Sequence, residues 1–238
     1  MGRVAANLAA VRDRIEAACR RSGRRSEDIR LMAVSKTHGP EVVREASAAG
    51  VRLFGENKVQ EAADKAELLA DVAGLQWAFI GHLQTNKAKR VAEFAGEFHA
   101  LDSLKVARVL DRRLAEAGRG MDVFIQVNSS DEESKFGLAP AEVGDFAAAL
   151  RSFSSLRVRG LMTLAVFSTD QDAVRGCFER MRDLQTRLRN LDTAAGTYDE
   201  LSMGMSGDFE LAIEYGATTV RVGEAIFGAR LRPADYWS

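Results

Sequence analysis

Eight short apolar runs, separated from one another by longer stretches with helical spacing, constrain this chain more than any other feature. The runs are Arg30 to Ser35, Val51 to Phe54, Trp77 to Ile80, Phe98 to Leu101, Val123 to Val127, Val158 to Met162, Glu200 to Ser202 and Thr219 to Val222. Between them lie residues 40–49, 60–69, 86–94, 103–117, 140–150, 172–191 and 207–215, most with apolar positions three and four apart, the period of a helix buried along one face. Strands separated each time by a helix pair in parallel through crossovers. Eight such units predict an α/β fold, a single (β/α)8 TIM barrel, in a chain close to the ~250 residues typical of that architecture. An open, doubly wound sheet is the weaker alternative that counting strands leaves standing. Leu8, Val11, Ile15 and Ala18 share one face ahead of the first strand and predict an additional N-terminal helix. No Pro/Gly/Ser-rich linker or tandem repeat interrupts the sequence, so residues 1–238 read as one domain.

Charge excludes several partners. The chain has 33 Lys and Arg against 34 Asp and Glu, a formal charge of -1, so no global field favours nucleic acid or an anionic membrane. Lys87, Lys89 and Arg90 have no aromatic residues between them for base stacking and read as a solvated helix face. Cys19 and Cys177 are far apart with no CxxC pair, which argues against a disulfide framework and a zinc site. Charged residues from Arg3 to Glu16 break up any signal-like apolar core, and Ala6 stands where myristoylation requires Ser or Thr. The expectation is a cytoplasmic protein with no membrane, nucleic-acid or metal partner.

A barrel places its chemistry at the C-terminal ends of the strands. Lys36 sits there, after the first strand, in a chain where only seven of the 33 basic residues are lysine. One reading is a solvated strand end. The other is an amine that loses part of its pKa in the barrel mouth and forms a Schiff base with a carbonyl. Asn57 follows the second strand, as a helix cap or as an amide facing a ligand ring, and His82 follows the third. Near the end of the chain, Ser206, Gly207 and Gly223 fall after strands seven and eight, where barrels commonly hold phosphate. Small residues there let main-chain N–H groups approach an anion. An imine-forming amine and a phosphate cradle are halves of a site for one ligand carrying both an aldehyde and a phosphate. Pyridoxal 5′-phosphate has both; a phosphorylated ketose in a Schiff-base aldolase competes with it.

The motifs AVSKT, FGENKVQE, WAFIGHLQTNK, SKFGL, RGLMTL and LSMGMSGDFELAIEYGATTVRVGEAIFG, in this order, resemble the pyridoxal-phosphate homeostasis protein family over essentially the whole chain. The family's barrel is similar to the N-terminal domain of alanine racemase, a fold-type III pyridoxal-phosphate protein. The resemblance implies an internal aldimine on Lys36, with Ser206, Gly207 and Gly223 on the phosphate. It places Arg221 at the pyridine nitrogen and Asn57 near the ring, with Ser202, Met203, His82 and Met162 completing the wall. It implies a role in vitamin B6 homeostasis without a committed reaction, and pyridoxal-phosphate-dependent apoenzymes as acceptors of released cofactor. The oligomeric state expected is a monomer or weak dimer. Racemisation needs a base on each face of the α-carbon. Tyr198, Tyr215 and Tyr236 are not obvious second bases, and the C-terminal β domain that supplies the tyrosine in alanine racemases has no counterpart in this sequence. A low-activity amino-acid racemase is the alternative.

Overall fold

The computed structural model describes residues 2–130, 132 and 136–229. Eight parallel strands close in sequence order into one barrel: β1 (Arg30–Val34), β2 (Leu53–Glu56), β3 (Gln76–Phe79), β4 (Glu97–Leu101), β5 (Met121–Gln126), β6 (Leu156–Met162), β7 (Glu200–Ser202) and β8 (Thr219–Val222). Closure is made by β8 on β1, with Arg30 opposite Thr219 and Met32 opposite Arg221. The open-sheet alternative is thereby removed. The strands are buried almost throughout, as parallel strands covered on both faces must be, which is why they read as apolar runs without alternation.

Helices α2 (Pro40–Ala48), α3 (Val59–Leu68), α4 (Ala88–Phe94), α5 (Leu104–Glu116), α6 (Val143–Ala149), α7 (Gln171–Arg189) and α8 (Phe209–Glu214) fill the crossovers, and a short α9 (Glu224–Phe227) follows β8. Local chemistry sets several of the boundaries. Pro40 occupies the first turn of α2, where its missing N–H costs nothing. Asp170 caps α7 by accepting from the N–H groups of Asp172 and Ala173. Residues 140–142, expected to be helical, form a turn, and α4 is entered through a 3-10 turn at Thr85–Lys87.

The N-terminal helix α1 (Arg3–Ser22) buries Val4, Leu8, Val11, Ile15, Ala18 and Cys19 and ends at Gly23, whose φ of 66° is the left-handed turn glycine tolerates. It braces the last two β/α units. Asn7 Nδ2 donates to the Ile226 carbonyl at 2.9 Å, Arg14 pairs with Glu210 at 2.7 and 2.8 Å, and Arg24 donates to the carbonyls of Ile213 and Ala217. At the opposite end of the barrel from the strand C-termini, Arg30 bridges Glu97 and Glu200 at the starts of β1, β4 and β7. No helix among the described residues is long and apolar enough to cross a membrane.

Candidate functional site

A cavity of about 660 Å³ opens at the C-terminal ends of the strands. Of the ten residues singled out from the sequence, Lys36, Asn57, His82, Met162, Ser206, Gly207, Arg221 and Gly223 line it. Ser202 and Met203 are not among its lining residues. Ser202 is fully buried beneath Arg221, and Met203 packs in the apolar core.

Lys36 is carried by a short segment that leaves β1 with Ser35 buried and Thr37 at φ 67°, a left-handed conformation that β-branched residues rarely adopt. Such a conformation costs on the order of 1–3 kcal/mol and persists where the surroundings over-determine it. Here the surroundings are polar. Glu61 accepts from the Thr37 N–H at 2.6 Å, and the Ser35 hydroxyl donates to Glu56 at 2.7 Å.

Asn57 is not a helix cap. The residue capping α3 is Lys58, and the buried Oδ1 of Asn57 accepts no hydrogen bond in the structure. A buried, unpartnered acceptor on a cavity wall costs stability unless something fills the cavity. Gly81 makes this arrangement possible, since a Cβ there would come within 2.3 Å of the Asn57 carbonyl.

In the loops after β7 and β8, the latter next to β1, the main-chain N–H groups of Ser206, Gly207 and Gly223 make no hydrogen bond to other described residues. Two links tie their loops together and to α1: the Ser206 hydroxyl accepts from the Ala225 N–H at 3.3 Å, and the Ser206 carbonyl accepts from Arg14 at 3.5 Å. Gly204, at φ 92°, lets the first loop turn tightly, for a Cβ there would meet Ala212 and Phe209 within 3 Å. Asp208 occupies the N-cap position of α8 without a side-chain cap bond; its carboxylate instead accepts from the Met205 N–H at 2.5 Å.

Arg221 forms the floor between these two regions. Its Nη1 donates to the Ser202 carbonyl and hydroxyl, and its Nη2 to the Thr163 carbonyl at 2.7 Å. Burial lowers its pKa to about 10, with Asp208 opposing, so the guanidinium stays cationic at neutral pH. Behind it, His99 Nδ1 lies 2.9 Å from the Ser202 hydroxyl and Nε2 lies 2.7 Å from Glu97. Burial alone would raise the Glu97 carboxyl, but bonds from His99 and Arg30 hold it below its usual range. Since Glu97 is ionised, Nε2 of His99 carries the proton and Nδ1 accepts from Ser202, whose oxygen then accepts from Arg221. A one-way hydrogen-bond chain thus runs Arg221, Ser202, His99, Glu97.

The other walls come from residues that the sequence did not single out. His38 lines the cavity, and burial, helped by the Lys65 charge, keeps its imidazole below the ordinary pKa. His82 stacks on Phe136 with ring centroids 4.3 Å apart, and Gln126 donates to the Phe136 carbonyl. Phe167, fully exposed, stands with Leu164 at the rim. Tyr198 and Tyr215 do not line the cavity; Tyr236, and Ser134 and Lys135 of the SKFGL motif, lie outside the described residues. No group of three His, Cys, Asp or Glu suited to a metal ion occurs among the described residues.

Residues 6–231 match the family model for the alanine racemase N-terminal domain. The chain is 47% identical over 233 residues to the pyridoxal phosphate homeostasis protein of Escherichia coli K12, covering 97% of this chain and 98% of that one. It belongs to the pyridoxal phosphate homeostasis protein family. The family member of Pseudomonas aeruginosa is 44% identical over 230 residues, covering 97% of each chain. PipY of Synechococcus elongatus, solved with PLP bound, superposes with a TM-score of 0.83 at 34% identity, over 94% of this chain and all of PipY. Alanine racemase of Clostridium difficile superposes with a TM-score of 0.71 at 16% identity, over 98% of this chain and 58% of the racemase, a likeness of fold. The barrel expected from strand alternation and from family resemblance is therefore the barrel found.

Proposed function

We propose that this protein binds pyridoxal 5′-phosphate in the barrel-mouth cavity, as a Schiff base on Lys36. It holds and releases the cofactor for vitamin B6 homeostasis without committing it to one reaction. One observation carries the reading: a lysine lines the same cavity as three residues whose main-chain N–H groups bond to no other described residue. An aldehyde and a phosphate on one small molecule satisfy both. PipY, solved with PLP bound, and the relatives named as pyridoxal phosphate homeostasis proteins support it.

In this reading Ser206, Gly207 and Gly223 receive the phosphate, Asn57 offers its unpartnered oxygen beside the ring, and His82 and Met162 complete the wall. Arg221 faces the ring nitrogen, and Ser202 and Met203 support it from behind. The bound cofactor supplies an aldehyde for imine formation and a ring that withdraws electrons. A guanidinium has donors only and so favours an unprotonated ring nitrogen, which makes the ring a weaker electron sink. That suits storage better than turnover. A single domain over residues 1–238, acting in the cytoplasm as a monomer or weak dimer with apoenzymes as acceptors, belongs to the same reading.

The test is the absorption spectrum with added pyridoxal 5′-phosphate, before and after borohydride, beside Lys36→Ala. A visible imine band trapped on Lys36 supports the reading; its absence from the native protein overturns it. A second reading, weak amino-acid racemisation, is favoured by His38 and His82 sharing the cavity with Lys36, since His38 is held neutral and able to accept a proton. Exchange of the α-hydrogen of L-alanine for deuterium, lost in Lys36→Ala, would establish it.

A further inference from the structure

The residues on either side of Lys36 are held by one buried ion cluster. Lys65, on α3, is 4% exposed, and its Nζ donates to the Ser35 carbonyl at 2.8 Å, to Glu56 Oε1 at 2.7 Å and to Glu61 Oε1 at 2.7 Å. The same Glu56 oxygen accepts from the Ser35 hydroxyl, and the same Glu61 oxygen accepts from the Thr37 N–H. Lys65 therefore reaches Ser35 directly and through Glu56, and Thr37 through Glu61. All these bonds converge on the main chain that carries Lys36, and Thr37 is held in the left-handed conformation noted above.

A surface ion pair would not be built this way. Glu56 is completely buried, and its Oε2 accepts no hydrogen bond in the structure. Burying the Glu56 carboxylate and the Lys65 ammonium is costly even when they are paired, and apolar replacements of similar volume often serve stability as well or better. The cluster instead fixes a geometry. The Ser35 carbonyl, the Ser35 hydroxyl and the Thr37 N–H are three anchors on two residues, and they leave the intervening Cα little freedom.

We infer that Lys65 is a positioning residue: through Glu56 and Glu61 it clamps Ser35 and Thr37 so that the Lys36 side chain projects into the cavity at the reach and angle imine formation needs. The neutral Lys36 amine adds to an aldehyde carbon; the C=N bond forms, and the aldehyde oxygen leaves as water with the two amine hydrogens. Orientation of reactants of this kind governs the rate and equilibrium of such a step more than it governs non-covalent binding. The inference rests on the proposed role of Lys36, and the experiment separates the two.

Lys65→Met keeps the apolar stem and removes the clamp. Two ligands are compared by titration: pyridoxal 5′-phosphate, followed by its imine absorbance and by borohydride trapping, and pyridoxine 5′-phosphate, which has the ring and phosphate but no aldehyde. The expected result is a tenfold or greater loss in imine formation, with pyridoxine 5′-phosphate affinity within about twofold of wild type. Because Lys65→Met leaves Glu56 unpaired and can fail to fold, Glu61→Ala is made alongside. Glu61 is partly exposed, and this change frees the Thr37 N–H and takes one of three acceptors from Lys65 while leaving both Ser35 anchors, so a smaller loss of the same kind is expected. Unchanged imine formation in the folded variants, or equal losses for both ligands, overturns the clamp and leaves the Lys36 assignment standing. No borohydride-trapped adduct on Lys36 in the wild-type protein overturns both.

Discussion

Arg221 Nη1 donates to the main-chain carbonyl of Ser202 at 2.6 Å and to its hydroxyl at 2.8 Å. The hydroxyl in turn donates to His99, so one oxygen joins the cavity floor to the Glu97, Arg30 and Glu200 cluster at the far end of the barrel. Ser202→Ala removes that link and leaves His99 Nδ1 without a donor in an apolar interior. Stability should fall by about 1–3 kcal/mol, the cost of a buried polar group left unsatisfied, as read from denaturant midpoints at an unchanged m-value. A midpoint within error of wild type would mean that the chain is incidental.

The same chain sets an acid limb. Burial keeps the His99 imidazole below its ordinary value of 6.5, while the unfolded chain takes up a proton there, so stability falls as the pH drops below about 6.5. Glu97, held below its ordinary 4.5, adds a loss in the same direction as the pH falls past 4.5. Each group contributes at most about 1.4 kcal/mol per pH unit. His99→Gln retains a donor and an acceptor but does not titrate. Its stability should be lower overall and flatter between pH 6.5 and 5, as measured by unfolding midpoints across pH. His38 titrates with the same sign in both proteins and cancels in the comparison.

Asn57 separates a site residue from a structural one. Its Oδ1 is buried without a donor, so Asn57→Leu relieves a desolvation penalty in the ligand-free protein. The ligand-free variant should melt at or above the wild-type temperature while its affinity for pyridoxal 5′-phosphate drops about tenfold. Opposite signs in the two measurements mark a group kept for binding. A drop in both would assign Asn57 to the scaffold.

Most of the barrel was legible because each strand is a local apolar run and each helix a local period. All eight strands lie within two residues of their sequence positions at either end. Lys36, Ser206, Gly207 and Gly223 were legible because strand number and position place them on one rim. His99, Glu97, Lys65 and Glu56 were not: beside the local pairs His99–Glu97 and Lys65–Glu61, the bonds His99–Ser202, Glu97–Arg30, Lys65–Ser35 and Lys65–Glu56 span from nine to 103 residues, and no spacing rule connects them. The family resemblance puts Ser202 in the cavity wall. Only the side-chain geometry places it beneath Arg221 instead.

Helix α1 lies outside the barrel, yet it contacts the loop that carries Ser206, one of the residues proposed to receive the phosphate. Arg14 pairs with Glu210, donates to the Ser206 carbonyl and sits 4.5 Å from the centre of the Phe209 ring. The pair is partly exposed, so its loss should cost less than about 1 kcal/mol of stability. Its position makes the functional effect larger than the structural one, because Ser206 also supplies one of the N–H groups that bond to no other described residue and ties the two loops together through Ala225. Arg14→Met should leave the melting temperature nearly unchanged while weakening inorganic phosphate and pyridoxine 5′-phosphate binding several-fold, by isothermal titration. Imine formation at saturating pyridoxal 5′-phosphate should persist, because Arg14 acts on the loop after β7 while Lys36 is carried by the segment after β1. If both phosphate ligands bind as in wild type, the loops hold their shape without α1, and the N-terminal helix serves the core alone.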